Sequence, residues 1–346
     1  MPVNSVAQLK KTFAGFAADG AVSADEAQKL VELVKDGAGV TASERRQLRD
    51  LFTARGDTFD ADASARLKKF IETEVDALIV DDVRVVGNGD DKKDLADPAV
   101  LKSDRHVVYE WANGALFKDG ATAADVMQGQ LGDCFAVSGL AAIAAANPGV
   151  IEDAITDHGD GTYTVSLFDP DSVGASTEKI EVVVDGQLPT KNGGLVYGRN
   201  RDRSELWVAI IEKAFAQVLG SYDKLHEGGK PSWVMHALTG RSTSATDLSV
   251  MDEDMLFWVL EEGFKRGHSG AITTHGHDQT ALYSGTGMYA EHGYSVMGVG
   301  ERDGKRFVTL RNPWGEVEPA GHGRDDGIFD IDLPTLMKLG SHLFLV

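Results

Sequence analysis

Near the carboxyl end of this 346-residue chain, two strand-like runs, Glu291–Val299 and Lys305–Arg311, are joined through Glu301-Arg302 and the dipeptide Asp303-Gly304. Asp-Gly between such runs is a strong hairpin signal, because the favoured two-residue turn needs positive φ at both central positions. A turn centred near Arg302-Asp303 gives cross-strand partners whose numbers add to about 605, which sets His292 nearly opposite Asn312. Directly opposed residues lie about 4.5–5.5 Å apart at Cα. A hairpin therefore delivers an imidazole and a carboxamide side by side. Taken singly, His292 reads as a surface histidine and Asn312, before Pro313, as a turn former; their pairing across one hairpin favours a site.

The single cysteine of the chain, Cys134, follows Gln128-Gly129-Gln130-Leu131-Gly132-Asp133 and precedes the small and apolar run Phe135–Ala144. Loop glycines feeding such a run predict a turn that opens into a buried helix, with Cys134 in its first turn. Unpaired N–H groups and the positive dipole end there favour a thiolate and lower a thiol pKa. A lone cysteine is more often an inert core residue, but a Gly-rich helix start favours a nucleophile. One cysteine excludes an internal disulfide, as expected in a reducing compartment.

The chain is long enough for two or three domains. Residues 1–80 are close to neutral, so nearly all of the net charge of −20 falls on the remainder. That balance disfavours nucleic acid. No stretch approaches the roughly 18 apolar residues of a membrane span. Met1–Phe16 is amphipathic, carries Lys10 and Lys11, and lacks the apolar core of a secretory signal. A cytoplasmic location is expected, with secretion without a cleaved signal left open.

Residues 1–78 read as a small all-α domain. Ser5-x-x-Gln8, Ser23-x-x-Glu26 and Thr41-x-x-Glu44 are capping boxes. A fourth helix follows Asp60 with Leu67, Phe70, Ile71 and Val75 on one face. Asp19-Gly20-x-Val22-Ser23 resembles half an EF-hand loop, but Gly15 and Ala17 stand where oxygen ligands are needed. Residues 79–105 read as a linker containing the loop Gly87–Asp91. Residues 106–228 carry the cysteine, two strand-like segments and a long helix, and residues 229–346 carry the histidine and asparagine. The fold class is α+β. His275-Gly276-His277 has no further ligands nearby and reads as a pair of solvated loop histidines.

Gln128-Gly-x-Leu-Gly-Asp-Cys134 resembles the active-site signature of the calpain family of papain-like cysteine proteases. Further along, Val184–Thr190, Glu205-Leu206-Trp207, Glu212–Phe215 and Gly220-Ser221-Tyr222 resemble segments of the same core, in the same order. His292-Gly293-Tyr294-Ser295-Val296 and Arg311–Glu318 are similar to the family's histidine and asparagine segments. The resemblance covers roughly residues 110–346. Phe135 stands where the family has Trp, and Gly293 where it usually has Ala.

The resemblance implies a papain-like core of two subdomains hydrolysing internal peptide bonds of protein or peptide substrates. Cys134 would be the nucleophile, His292 the general base paired with its thiolate, and Asn312 the residue that fixes the ring. Gln128 would complete the oxyanion hole, and Trp314 would shield the histidine–asparagine bond. The chemistry needs no cofactor, but family cores bind calcium as a regulator. The corresponding positions are Lys118, Gly120, Asp125 and Glu205 in the first half, and Glu318 with Asp325 or Asp326 in the second. Ile328 replaces a carboxylate there, so regulation without calcium stays open. The helices of residues 1–78 would dock on the core or a partner, or act as an inhibitory prosegment. The chain's end at Val346 suggests a short form without the C-terminal domains of calcium-activated animal calpains. A silent relative serving as a scaffold would have lost one of Cys134, His292, Asn312 or Gln128; all are retained. A related transferase would incorporate amines into protein.

Overall fold

A computed structural model describes residues 5–34, 51–52, 55, 58–69, 84–85, 93–169, 179–319 and 325–346. The chain divides into two compact units, Met1–Ala96 and Asp97–Val346.

In the first unit, helices span Ser5–Phe16, Ala24–Val34 and Ala61–Lys69. The Ser23 capping box forms: the Ser23 N–H donates to Glu26 Oε2 at 3.0 Å. Asp60 caps the third helix by accepting from the Ala63 N–H at 2.7 Å. Val22 and Phe59 pair between the loops that precede these two helices. Both are buried with Phe13, Leu30, Val31 and Leu67. The helix expected after Thr41, the residues Phe70, Ile71 and Val75, and the loop Gly87–Asp91 lie outside the described residues. Arg84–Val85 pairs with Lys93–Asp94, so the described part of this unit is not helix alone.

The second unit packs around two hydrophobic clusters. The first surrounds helices Cys134–Ala146 and Trp207–Leu219, with strands Thr162–Phe168 and Lys179–Asp185 against them. The second lies on an antiparallel sheet of six strands. In spatial order these are Ser244–Asp247, Gly340–Leu345, Gly270–Thr274, Gly293–Arg302, Lys305–Arg311 and Ile328–Asp332. Helix Glu253–Lys265 covers that sheet with Leu256 and Leu260. No helix among the described residues is long and apolar enough to cross a membrane.

Two observed boundaries differ from the expected ones. Residues 97–104, read as linker, form an arm stitched to the first cluster. Leu101 is buried and its N–H donates to the Tyr197 hydroxyl at 3.0 Å, while the Tyr222 N–H donates to Ala99 O at 2.9 Å. Helix Pro231–Thr239, assigned by sequence to the second half, buries Val234, Met235, Ala237 and Leu238 in the first cluster. The change of cluster therefore falls after Gly240 rather than at residue 229.

The hairpin closes on Asp303 and Gly304, both with positive φ (54° and 71°). Arg302 pairs with Lys305, and beyond an irregularity at Met297 Ser295 pairs with Arg311. The turn thus centres one residue later than expected, and His292 sits just before the first paired strand.

Candidate active site

Cys134 is the first residue of its helix, where the chain leaves the glycine loop. That loop is held by its own backbone. The Gln128 N–H donates to Pro313 O at 2.8 Å and the Gln130 N–H to Val196 O at 2.9 Å. Gly129 is obligatory: a Cβ there would lie 2.3 Å from the carbonyl oxygens of Val196 and Tyr197. The helix can lie close to the sheet because its facing residues are small. Ser295 Oγ donates to Ser138 O at 2.8 Å, and a Cβ on Gly293 would meet Ser138 Oγ at 2.8 Å. Sheet and helix thereby face each other across one cleft. It encloses about 750 Å³ and is lined by Gln128, Cys134, His292, Gly293 and Trp314 among others.

On the sheet side, His292 Nε2 lies 3.0 Å from Asn312 Oδ1. The amide is itself oriented, because Asn312 Nδ2 donates to Val317 O (3.1 Å) and Oδ1 accepts from the Trp314 N–H (3.2 Å). Oδ1 being the acceptor, His292 Nε2 carries the proton and Nδ1 keeps its lone pair. Aromatic rings box the imidazole. Trp314 packs at 4.7 Å between centroids, and Tyr294 meets it edge-on at 5.0 Å.

Electrostatics depart from the expectation drawn from the helix end. Burial pushes the Cys134 thiol up to about 11, although the Gly293 N–H partly offsets this and the Asp133 carboxyl adds to it. Burial also lowers the His292 pKa, against the favourable Asn312 bond. Desolvation therefore outweighs the helix terminus here, and both shifts favour the neutral thiol and the neutral imidazole. Gln128 is buried; Nε2 donates to Leu131 O at 2.7 Å, and Oε1 has no donor within bonding distance. An amide carries two N–H hydrogens, so one remains beyond the Leu131 bond.

The residues singled out for calcium fall in two places. The loops 115–125 and 200–207 run side by side, and the Lys118 N–H donates to Glu205 Oε1 at 3.0 Å. Glu205 is buried, and its pKa is raised by burial, offset by that bond, and raised further by the nearby charge of Asp125. Asp125 itself accepts from the Thr122 N–H at 2.8 Å. Gly120 has φ 86°, and a Cβ there would meet the Glu152 carboxylate at 2.6 Å. In the second half, Glu318 Oε1 accepts from the N–H groups of Asp326 (2.6 Å) and Gly327 (2.7 Å), and Asp325 Oδ1 from that of Val317 (2.7 Å). These carboxylates are turned onto their own loop. Among the described residues no group of three or more His, Cys, Asp or Glu side chains converges.

Three participants escaped sequence reasoning. The Gly293 N–H reaches the Cys134 thiol, a contact that only the folded approach of strand to helix creates. Asp133 and Glu212 are buried carboxylates beside the cysteine. The signal for Glu212 was present: helix Trp207–Leu219 is apolar nearly all round, so a charged pair at its centre has no solvent face.

Residues 101–327 match the family described as calpain family cysteine protease. Mouse (Mus musculus) calpain-9 is 31% identical over 229 residues, covering 64% of this chain and 33% of that protein. The mouse calpain-1 catalytic subunit is 33% identical over 224 residues, covering 62% and 30%. A calpain-type cysteine protease of Arabidopsis thaliana is 32% identical over 262 residues, covering 68% of this chain and 12% of the relative. The chain spans about a third or less of the length of these relatives.

Proposed function

The chain belongs to the calpain family of cysteine proteases, and on that premise we propose that it hydrolyses internal peptide bonds of protein substrates through Cys134, His292 and Asn312. The observation that carries this reading is the 3.0 Å bond from His292 to Asn312, facing the only cysteine across one cleft. Cys134 Sγ attacks the scissile carbonyl carbon while His292 Nδ1 takes the thiol proton. His292 then gives that proton to the leaving amine, and a thioester remains. Water, deprotonated by the same nitrogen, attacks the thioester and releases the acid. The oxyanion is met by the Cys134 N–H and the Gln128 amide. Trp314 keeps water from the bond that aligns the ring. The two hydrophobic clusters act as papain-like halves with the cleft between them.

Calcium enters this reading as a regulator through the first loop pair. Carbonyl oxygens of Lys118 and Gly120 with the carboxylates of Asp125 and Glu205 suit a hard cation. A cation there would also relieve the raised Glu205 pKa. The carboxylates of Glu318, Asp325 and Asp326 accept from backbone N–H groups, that of Asp326 from the Ile328 N–H, and fit less well.

The test is hydrolysis of a labelled unfolded protein by the full chain, with calcium or with chelator, beside Cys134→Ser. Cleavage abolished by the substitution supports the protease, and cleavage unchanged by it overturns the assignment of Cys134. Loss in chelator supports calcium control. Cleavage released by proteolytic removal of residues 1–96 would identify the N-terminal unit as an inhibitory segment rather than a docking module.

A further inference from the structure

Asp133 occupies the N-cap of the cysteine helix, where an aspartate ordinarily accepts from the N–H groups of the first turn. Here it makes no side-chain cap. The N–H groups of Ala136 and Val137 go instead to its carbonyl oxygen, at 2.7 and 3.1 Å. The carboxyl points inward, fully buried, and neither oxygen has a conventional donor within bonding distance. Its neighbours are the carboxyl of Glu212, within hydrogen-bonding reach, and the Gln128 amide. Glu212 is buried in mid-helix, and its Oε1 accepts from the Gly198 N–H at 2.8 Å. The carboxylate packs directly against Gly198, where a Cβ would lie 2.5 Å from that oxygen.

Two bare carboxylates do not persist face to face in such a place. One proton between them resolves it, because a protonated carboxyl donates and its ionised partner accepts. We propose that Asp133 and Glu212 share a single proton, and that this singly charged pair is a positioning element that holds Gln128 for the oxyanion. A doubly ionised pair would put two negative charges behind a developing one. The charged and titratable groups facing the pair are Arg199, Tyr109, Tyr197 and Tyr222 on the side of Glu212, and Cys134 on the side of Asp133. Arg199 is the one cation among them, so one negative charge is balanced and a second is not. Burial raises both pKa values; Asp133 raises that of Glu212 further, whereas the bond to Glu212 partly offsets the rise at Asp133.

The shared proton stands independently of catalysis; its positioning role rests on the protease reading. The test uses the full chain with Glu212→Gln and Asp133→Asn, each close to isosteric. An infrared difference spectrum of wild type minus Glu212→Gln at neutral pH should contain the C=O band of a protonated carboxyl. Its absence overturns the shared proton. Thermal stability gives a second readout. A carboxyl pair with raised native pKa values stabilises fully below the ordinary carboxylate range, and that contribution is lost as pH rises through the native values. The wild-type Tm should therefore fall from about pH 4 toward neutrality more steeply than that of Glu212→Gln, whose amide donates at every pH. Parallel slopes overturn the proposal. Glu212→Ala should lower kcat by roughly 10²–10³ with KM little changed, as for loss of an oxyanion donor, and Glu212→Gln should restore most of it. A folded Glu212→Ala protein with full kcat overturns the positioning role. A wild type that shows band and slope but cleaves nothing would sink the protease reading while leaving the shared proton in place.

Discussion

His292 and Asn312 meet through Nε2 and Oδ1 at 3.0 Å, and the bonds of Asn312 to Val317 and Trp314 decide which amide atom faces the ring. The tautomer of the base is thus set two bonds away from it. Asn312→Ala should leave substrate binding near normal and lower kcat by roughly 10², the scale of a misplaced catalytic group. Asn312→Asp should keep the ring aligned but raise the imidazole pKa, moving the acidic limb of the rate profile to higher pH. Steady-state kinetics over a pH series checks both.

Burial of the thiol sets a second expectation. Alkylation of Cys134 in the free chain should be slow at neutral pH and should accelerate on the alkaline side of an ordinary thiol, whose pKa is about 8.5. The direction follows from the raised thiol pKa and the lowered imidazole pKa. A fast, pH-independent plateau between about pH 5 and 8 would instead reveal a thiolate–imidazolium pair. Timed reaction with an alkylating reagent, read by mass spectrometry, decides between them.

Gln128 is tied to its own loop through Leu131 O, leaving one amide hydrogen beyond that bond. Gln128→Ala should reduce kcat by roughly 10²–10³. Gln128→Glu should be worse than Gln128→Ala, because a carboxylate offers no donor and repels the oxyanion. The ordering of the two variants in kcat is the measurement.

Lys213 is 1% exposed, and its ammonium meets Asp185 Oδ1 at 2.6 Å, Gln187 O at 2.7 Å and the carboxylate of Asp97. Removing one partner of a buried ion pair leaves the others uncompensated. Lys213→Ala should cost about 3–5 kcal/mol, measured by urea unfolding, far more than loss of an exposed pair such as Lys224–Glu227.

Much of the candidate site was legible because it rests on local rules. Asp303-Gly304 announced the hairpin that brings His292 to Asn312, and the Gly129–Gly132 loop announced the start of the cysteine helix. The one-residue error in register came from the turn taking Asp303 and Gly304, rather than Arg302 and Asp303, as its positive-φ centre. Long-range burial was not legible. Whether Cys134 feels a helix dipole or a dry cleft depends on how close the sheet approaches, which spacing along the chain does not encode. The apolar surroundings of Glu212 and Lys213 along their helix announced burial, but their partners, distant in sequence, were not legible. The arm at residues 97–104 closes the acidic, polar stretch of residues 79–105, and only its partners distinguish it from a linker.

Those partners draw a line for proteolytic processing. A scission in the stretch before residue 93 leaves Asp97 on Lys213, Ala99 on Tyr222 and Leu101 on Tyr197. A scission a dozen residues further on strips all three at once, stranding an ammonium in the interior. Trimming the chain from its amino end therefore meets a threshold: the second unit's own contacts through Asp97, Ala99 and Leu101 are whole up to the arm and lost within it. Any enzyme that matures or degrades this protein meets that threshold before it reaches a single catalytic side chain.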